Sequence, residues 1–135
     1  MEQKVFAFLM FSGQADEAMK LYVSAFEDAG IVSAKYYPQS EPGAKPKVLH
    51  AIFSIKGQQV MCIDNQLSDS HPHAFTPALS LFVNCDSEAE INEVFAKLAE
   101  DGKVLMPLSP SPVSTLFGWL EDKYGVSWQL NLPAR

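Results

Sequence analysis

The chain has 135 residues, 47% of them apolar and 19% charged, which suits one compact folded domain and excludes a disordered chain. Its formal net charge is −6, and its ten Lys and Arg residues are scattered, so it lacks the basic footprint of a nucleic-acid binder or of a protein held on an anionic membrane. No apolar run approaches the roughly 20 residues that span a bilayer. The first ten residues carry one Lys and no cleavage-site pattern, so a cytoplasmic protein without nucleic-acid or membrane partners is expected. Cys62 and Cys85 both lie in apolar, strand-like runs, which suits reduced, buried thiols.

Residues 4–11 are rich in Val, Phe and Leu and predict a strand, closed by Ser12 and Gly13. Ala15, Ala18, Met19, Tyr22, Val23 and Phe26 recur at three and four, the apolar stripe of a helix with Asp16 and Glu17 in its first turn. Gly30 is expected to stop that helix. A β-branched and aromatic stretch, 31–37, predicts a second strand, and 38–46, with three prolines and a glycine, a loop. Strands follow at 48–55 and 59–64 around Lys56, Gly57 and Gln58, a hairpin by its spacing.

A polar linker is expected at about 65–77, carrying Pro72, Pro77, His71 and His73. The order then restarts. Residues 78–85 predict a strand. Asp86 and Ser87 can cap a helix whose stripe is Ile91, Val94, Phe95 and Leu98, stopped at Gly102. Residues 103–108 predict a strand and 109–112 a turn with two prolines. Strands at 114–121 and 126–132 enclose Lys123, Tyr124 and Gly125. Shifting the numbering by 72 lays Met19, Tyr22, Val23, Phe26 and Gly30 on Ile91, Val94, Phe95, Leu98 and Gly102. Shifting by 68 lays Gly57 on Gly125, Val60 on Trp128 and His50 on Gly118, with the difference taken up in the Pro-rich loop of the first half. The chain therefore reads as βαβββ twice, with module one at 1–66 and module two at 78–135.

Several segments resemble the PhnB-like branch of the vicinal oxygen chelate superfamily, the glyoxalase and bleomycin-resistance proteins. They are 8–18 (FLMFSGQADEA), Tyr22 with Phe26, 48–51 (VLHA) and the closing stretch 118–129 (GWLEDKYGVSWQ), which is the most specific. The resemblance covers nearly the whole chain. It implies an α+β fold, two βαβββ modules forming curled mixed sheets around a cavity, and a homodimer. Metal-dependent relatives hold a divalent ion through His, Glu or Gln on the first and last strands of each module. Here the corresponding candidates are Phe8, Leu9 and Met10, then Met61, Cys62 and Asp64, then Leu79, Ser80 and Leu81, and finally Gln129, of which Gln129 alone matches. No metal and no cofactor are expected. His71 and His73 flank a proline with no partner ligand at metal spacing and read as solvated linker. The branch has carried a demethylubiquinone methyltransferase label, but the one glycine of Ser12-Gly13-Gln14 is not the fingerprint a methyl-donor loop needs.

Candidate site residues follow. His50 is the one charge-capable residue of its apolar strand and would be a proton donor or acceptor if it faced the barrel, or a hydrogen-bonded core residue if it did not. Cys62 and Asp64 lie two apart and share a face, either the cavity, where Asp64 would be a catalytic carboxylate, or the core side, with Asp64 closing the strand. Trp119 and Trp128 lie on facing strands, as ligand-lining aromatics or as core. Gln129 and Trp128 point to opposite faces. The superfamily pattern puts Gln129 toward the cavity with Ser80 opposite. The expected ligand-binding set is thus His50, Cys62, Ser80, Trp119 and Gln129, with His50 and Asp64 as catalytic candidates. Three function classes remain open: a metal-free cavity that binds a small apolar or aromatic molecule, a metal-free lyase or isomerase acting on a small oxygenated substrate, and a dimeric structural module without ligand.

Overall fold

A computed structural model describes residues 2–39, 41–65 and 74–134. The chain divides into two compact units, 1–73 and 74–135. Each is a four-stranded mixed sheet with one helix on one face. The linker histidines, His71 and His73, lie outside the described residues.

The first unit runs β1 (Ala7–Phe11), α1 (Ala15–Ala25), β2 (Ala29–Tyr36), β3 (Val48–Ile55) and β4 (Gln58–Asp64). Its sheet order is β1-β4-β3-β2, with β1 parallel to β4 and the other pairs antiparallel. Period-two alternation decides which side chains meet the helix. Leu9, Phe11, Ala51, Phe53, Ile55, Val60 and Cys62 turn toward α1 and are buried with Ala18, Met19 and Tyr22. The Tyr22 and Phe53 rings pack tilted, 5.7 Å between centroids. Phe8, Met10, His50, Ile52, Met61 and Ile63 turn to the opposite, open face.

Gly30 does not stop the helix. The helix ends at Ala25, where Phe26 turns extended, and Gly30 is already an ordinary residue of β2. The hairpin closes through Lys56 and Gly57, both at positive φ (50° and 87°), the two-residue turn whose twist matches its strands.

Asp64 ties the unit together. Its side chain is 1% exposed. Oδ1 accepts from the backbone N–H of Gly13 at 2.9 Å and of Ala15 at 3.0 Å, and Oδ2 accepts from Val48 N–H at 2.7 Å. Gln14, at the N-cap of α1, makes no side-chain capping bond, so the carboxylate at the end of β4 caps the helix from another strand and favours its positive end. The Tyr36 hydroxyl donates to Asp16 Oδ1 at 2.7 Å and fastens α1 to β2, while Lys20, one turn along α1, pairs with the same carboxylate at 2.9 Å.

The second unit repeats the order: β5 (Ser80–Asn84), α2 (Glu88–Ala99), β6 (Lys103–Ser111), β7 (Ser114–Glu121) and β8 (Ser127–Pro133), with sheet order β5-β8-β7-β6. Ser87 caps α2 by accepting from Glu90 N–H at 3.0 Å, while the Glu90 carboxylate accepts from Asp86 N–H at 2.6 Å. The expected turn at 109–112 is mostly strand. β6 continues to Ser111 through register shifts, and its prolines are tolerated because it is an edge strand. The core side holds Val83, Leu120, Trp128, Leu130 and Leu132 against Ile91, Val94 and Leu98. A side chain at Gly118 would meet the Phe95 ring at 2.6 Å, so glycine lets α2 lie close on β7.

The two hairpins are not in one register. Ser54 pairs with Gln59, and Glu121 with Ser127, so four residues connect the first pair and five the second. With β4 laid on β8, Ala51 corresponds to Gly118 and His50 to Phe117. The expected match of His50 with Gly118 is therefore off by one, and so by one face.

Asp64→Ala removes the acceptor of three backbone donors, two of those bonds being buried. It is expected to cost about 3–5 kcal/mol in urea unfolding, through loss of charge-assisted bonds and desolvation of the orphaned N–H groups. A loss below about 1 kcal/mol would show that Asp64 is not what holds the unit.

Candidate functional site

The structure separates the expected site residues by face. Cys62 and Asp64 do share a face, but it is the one covered by α1. Cys62 is fully buried among the core side chains, and Asp64 is committed to backbone donors. Neither reaches the open face, where the expected ligand contact at Cys62 and catalytic role at Asp64 would place them. Burial pushes the Cys62 thiol up to about 12, with the carboxylates of Asp64 and Asp16 adding to it. His50 sits half-buried on the open face of the first sheet, beside Lys35 of β2. His50 and Asp64 therefore point to opposite faces and do not form an acid–base pair.

Trp119 and Trp128 are also divided. Trp128 pairs with Leu120 and points into the core, fully buried, where its indole N–H donates to Asp122 Oδ2 at 2.9 Å. Asp122 Oδ1 accepts from the backbone of Tyr124 and Val126, which shapes the turn before β8. Trp128 is thus a core residue. Trp119 instead pairs with Gln129, and both stand on the open face.

That face is built in rows. Ser80, Ser127 and Glu121 form one, Phe82, Gln129 and Trp119 the next, and Asn84, Asn131 and Phe117 the third. The polar groups bond to each other along the sheet. Trp119 Nε1 donates to Ser127 Oγ at 2.8 Å, Ser127 and Ser80 share a hydrogen bond of 2.6 Å, and Gln129 Nε2 donates to Ser80 Oγ at 3.3 Å. Asn131 Nδ2 donates to Asn84 Oδ1 at 2.9 Å and its Oδ1 accepts from Ser114. The Phe82 and Phe117 rings stand 6.4 Å apart across Gln129 and Asn131, and Phe82 is 55% exposed. Sequence reasoning had named Ser80, Trp119 and Gln129. It missed Ser127, Phe82 and Phe117, although Ser127 lies two before Gln129 and Phe82 two after Ser80, and that parity is readable from the chain.

The first sheet offers no such rows. Met61 stands where module two has Gln129, Ile52 where it has Trp119, Ile63 where it has Asn131 and Phe8 where it has Phe82. A depression of about 270 Å³ lies off the sheet faces, among Tyr37, Pro38, Gln39, Ala44, Lys45 and Lys47.

The family model for 3-demethylubiquinone-9 3-methyltransferase matches residues 3–131. The chain belongs to that family. It is 53% identical to a PhnB protein of Bacillus cereus that carries the same methyltransferase name, over 96% of this chain and 99% of that one, with a TM-score of 0.86. The protein PA1353 of Pseudomonas aeruginosa is 29% identical, over 98% of both chains, with a TM-score of 0.81. A glyoxylase/bleomycin resistance protein/dioxygenase domain from Frankia shares the fold, with a TM-score of 0.70 at 10% identity over 100% of this chain and 94% of that one. A comparison with curated proteins finds no match.

The methyltransferase name implies a methyl donor, and the superfamily a divalent metal. The residues present fit neither. The strand-to-helix turn at Gly13 already gives its N–H groups to Asp64, and neither sheet is the parallel array with a glycine-rich loop that cradles such a donor. At the open-face positions of the first and last strands stand Phe8, Met10, Met61 and Ile63, then Phe82, Asn84, Gln129 and Asn131, with amide oxygens as the one class of hard donor. Among the described residues no three His, Cys, Asp or Glu side chains gather to hold a metal ion. Nor is any helix there long and apolar enough to cross a membrane.

At pH 8 a thiol reagent is expected to leave both buried cysteines of the folded protein unmodified and to titrate both in denaturant. Because the folded-state value of Cys62 lies above its ordinary 9.0, the stability it contributes is intact below pH 9 and is lost as the pH rises toward 12. Rapid modification of Cys62 in the folded protein would contradict its placement under α1.

Proposed function

We propose that the chain binds a small, flat, largely apolar molecule against the open face of its second sheet. One arrangement carries this reading. Three aromatic side chains, Phe82, Phe117 and Trp119, frame Gln129, and a row of mutually bonded hydroxyl, indole and amide groups runs beside them. An apolar surface with a few convergent polar groups is what small-molecule sites share. Ser80, Trp119 and Gln129 are the ligand contacts of this reading. His50 belongs to the first sheet's own open face, as a polar group in an apolar surround. The buried thiols Cys62 and Cys85 suit a reducing compartment, in keeping with a cytoplasmic protein.

The two tryptophans make a direct test. Each contributes one indole N–H resonance, and Trp119→Phe assigns them. Titration with 2-acetylnaphthalene is expected to move the Trp119 signal and leave that of Trp128, which is sealed in the core. Trp119→Phe should weaken binding several-fold, the scale of one aromatic contact. A titration that moves neither signal removes the reading.

A second reading concerns assembly and is compatible with the first. The sheet faces and edges leave large apolar side chains exposed, among them Phe8 at 52%, Phe82 at 55%, Val32 at 52% and Met106 at 47%. We infer that a second copy of the chain covers part of this surface, since edges and apolar patches of this kind are otherwise an aggregation hazard. Sedimentation velocity at micromolar concentration is expected to give twice the 14.9 kDa chain mass. A monomer at that concentration would reject the dimer and leave the ligand reading standing.

A further inference from the structure

The polar row beside Trp119 contains one more donor than it uses. The Trp119 indole has a single proton and gives it to Ser127 Oγ at 2.8 Å. Ser127 is 1% exposed, and among the described residues its oxygen has two side-chain polar partners, that indole and Ser80 Oγ at 2.6 Å. An indole cannot accept, and a buried hydroxyl keeps its proton bonded, so the Ser127 proton goes to Ser80. Ser80 Oγ then accepts from Ser127 and from Gln129 Nε2, which fills both of its lone pairs. Its own proton has no acceptor within the row, and Ser80 is half-buried on the open face.

The charge of the face narrows the class further. Glu121 stands in register between Ser127 of β8 and Lys103 of β6. The rows that hold Phe82, Gln129, Trp119, Asn84, Asn131 and Phe117 carry no ionisable side chain, so they offer no counter-charge to an anionic ligand.

Resting on the ligand-binding reading above, we propose that this face recognises a neutral, flat aromatic molecule through a carbonyl oxygen, which accepts the proton of Ser80. Phe82, Phe117 and Trp119 frame the ring. The carbonyl enters the hydrogen-bond chain at its unfilled end. A pure hydrocarbon leaves that end unbonded, and a carboxylate finds no counter-charge in those rows.

Calorimetric titration of the full chain with three naphthalenes tests this. They are 2-acetylnaphthalene, 2-isopropenylnaphthalene, which has the same shape without the acceptor, and 2-naphthoate. The ketone is expected to bind about five-fold more tightly than the hydrocarbon, the scale of one neutral hydrogen bond, and the carboxylate most weakly. Ser80→Ala should bring the ketone-to-hydrocarbon ratio to about one while leaving the hydrocarbon within about two-fold of its original affinity. Should that variant fail to fold, Ser80→Cys keeps the shape with a much weaker donor and supports the same comparison. Equal binding of ketone and hydrocarbon by the original protein, tightest binding of the naphthoate, or a ketone preference that survives loss of the hydroxyl overturns the carbonyl assignment. In those cases a naphthalene still binds, and the ligand reading stands. If none of the three binds and the Trp119 resonance does not move, that reading falls and the carbonyl assignment with it.

Discussion

A sheet has two faces, and each unit of this chain supplies one helix. That constraint governs what the sequence can do elsewhere. In the first unit α1 covers Leu9, Phe11, Ala51, Phe53, Val60 and Cys62, and in the second α2 lies over the side that holds Leu120, Trp128 and Leu130. Because side chains alternate strictly along a strand, every residue one step from these must point to the uncovered face. A site has to be assembled from that second set. The core residues between them are fixed by volume, since a close-packed interior tolerates little change.

The two units have used this freedom differently while keeping one topology. The first unit's uncovered face is Phe8, Met10, Ile52, Met61 and Ile63, with His50 and Lys35 toward one edge. The second unit's carries Ser80, Asn84, Ser127, Gln129 and Asn131 among its aromatics. Polar side chains gathered on one face are costly unless they satisfy one another, and here they do so along the sheet, through bonds from Trp119 to Ser127, Ser127 to Ser80 and Gln129 to Ser80. Such a network is rigid and directional in a way that the methionine-rich face of the first unit is not.

Much of this was legible in the chain, and the failures have physical causes. Strands β3 and β7 matched their expected bounds because each is a β-branched and aromatic run with sharp turn residues nearby. The helix stripes hold at Ala15, Ala18, Met19 and Tyr22 and at Ile91, Val94 and Leu98, because a period of three and four is hard to mistake, while Val23 and Phe95 are half-buried and Phe26 lies past the helix end. Gly30 misled because the helix already ends at Ala25, where the buried Phe26 turns extended. The prolines of 109–112 read as a turn because a central strand excludes them, but an edge strand does not. The pairing of Cys62 with Asp64 on one face was sound, and what parity could not say was which face. That answer depends on where α1 lies, which is a tertiary fact. The match of His50 with Gly118 failed on a single extra residue in the second hairpin connection, the kind of offset that glycine landmarks cannot detect. Trp119 and Trp128 lie on facing strands as expected, and alternation puts Trp128 in the core and Trp119 on the open face.

The ionisable groups divide between the scaffold and the open faces. The chain is acidic, yet its two most enclosed carboxylates are committed to scaffolding. Asp64 caps α1 and holds β3, and Asp122 shapes the turn before β8 and anchors the Trp128 indole. The Cys62 thiol, pushed up to about 12 by burial, is held neutral at ordinary pH. Acid–base catalysis needs a donor and an acceptor placed within hydrogen-bond reach of one reacting atom. On the first unit's open face the neighbour of His50 across β2 is Lys35, a cation. On the second unit's open face Glu121 has Lys103 of β6 as its register neighbour, and the remaining polar groups are hydroxyls, amides and an indole that do not ionise near neutral pH. The rows around Gln129 therefore carry no charge of their own, and their directionality comes from a neutral hydrogen-bond chain with an open end.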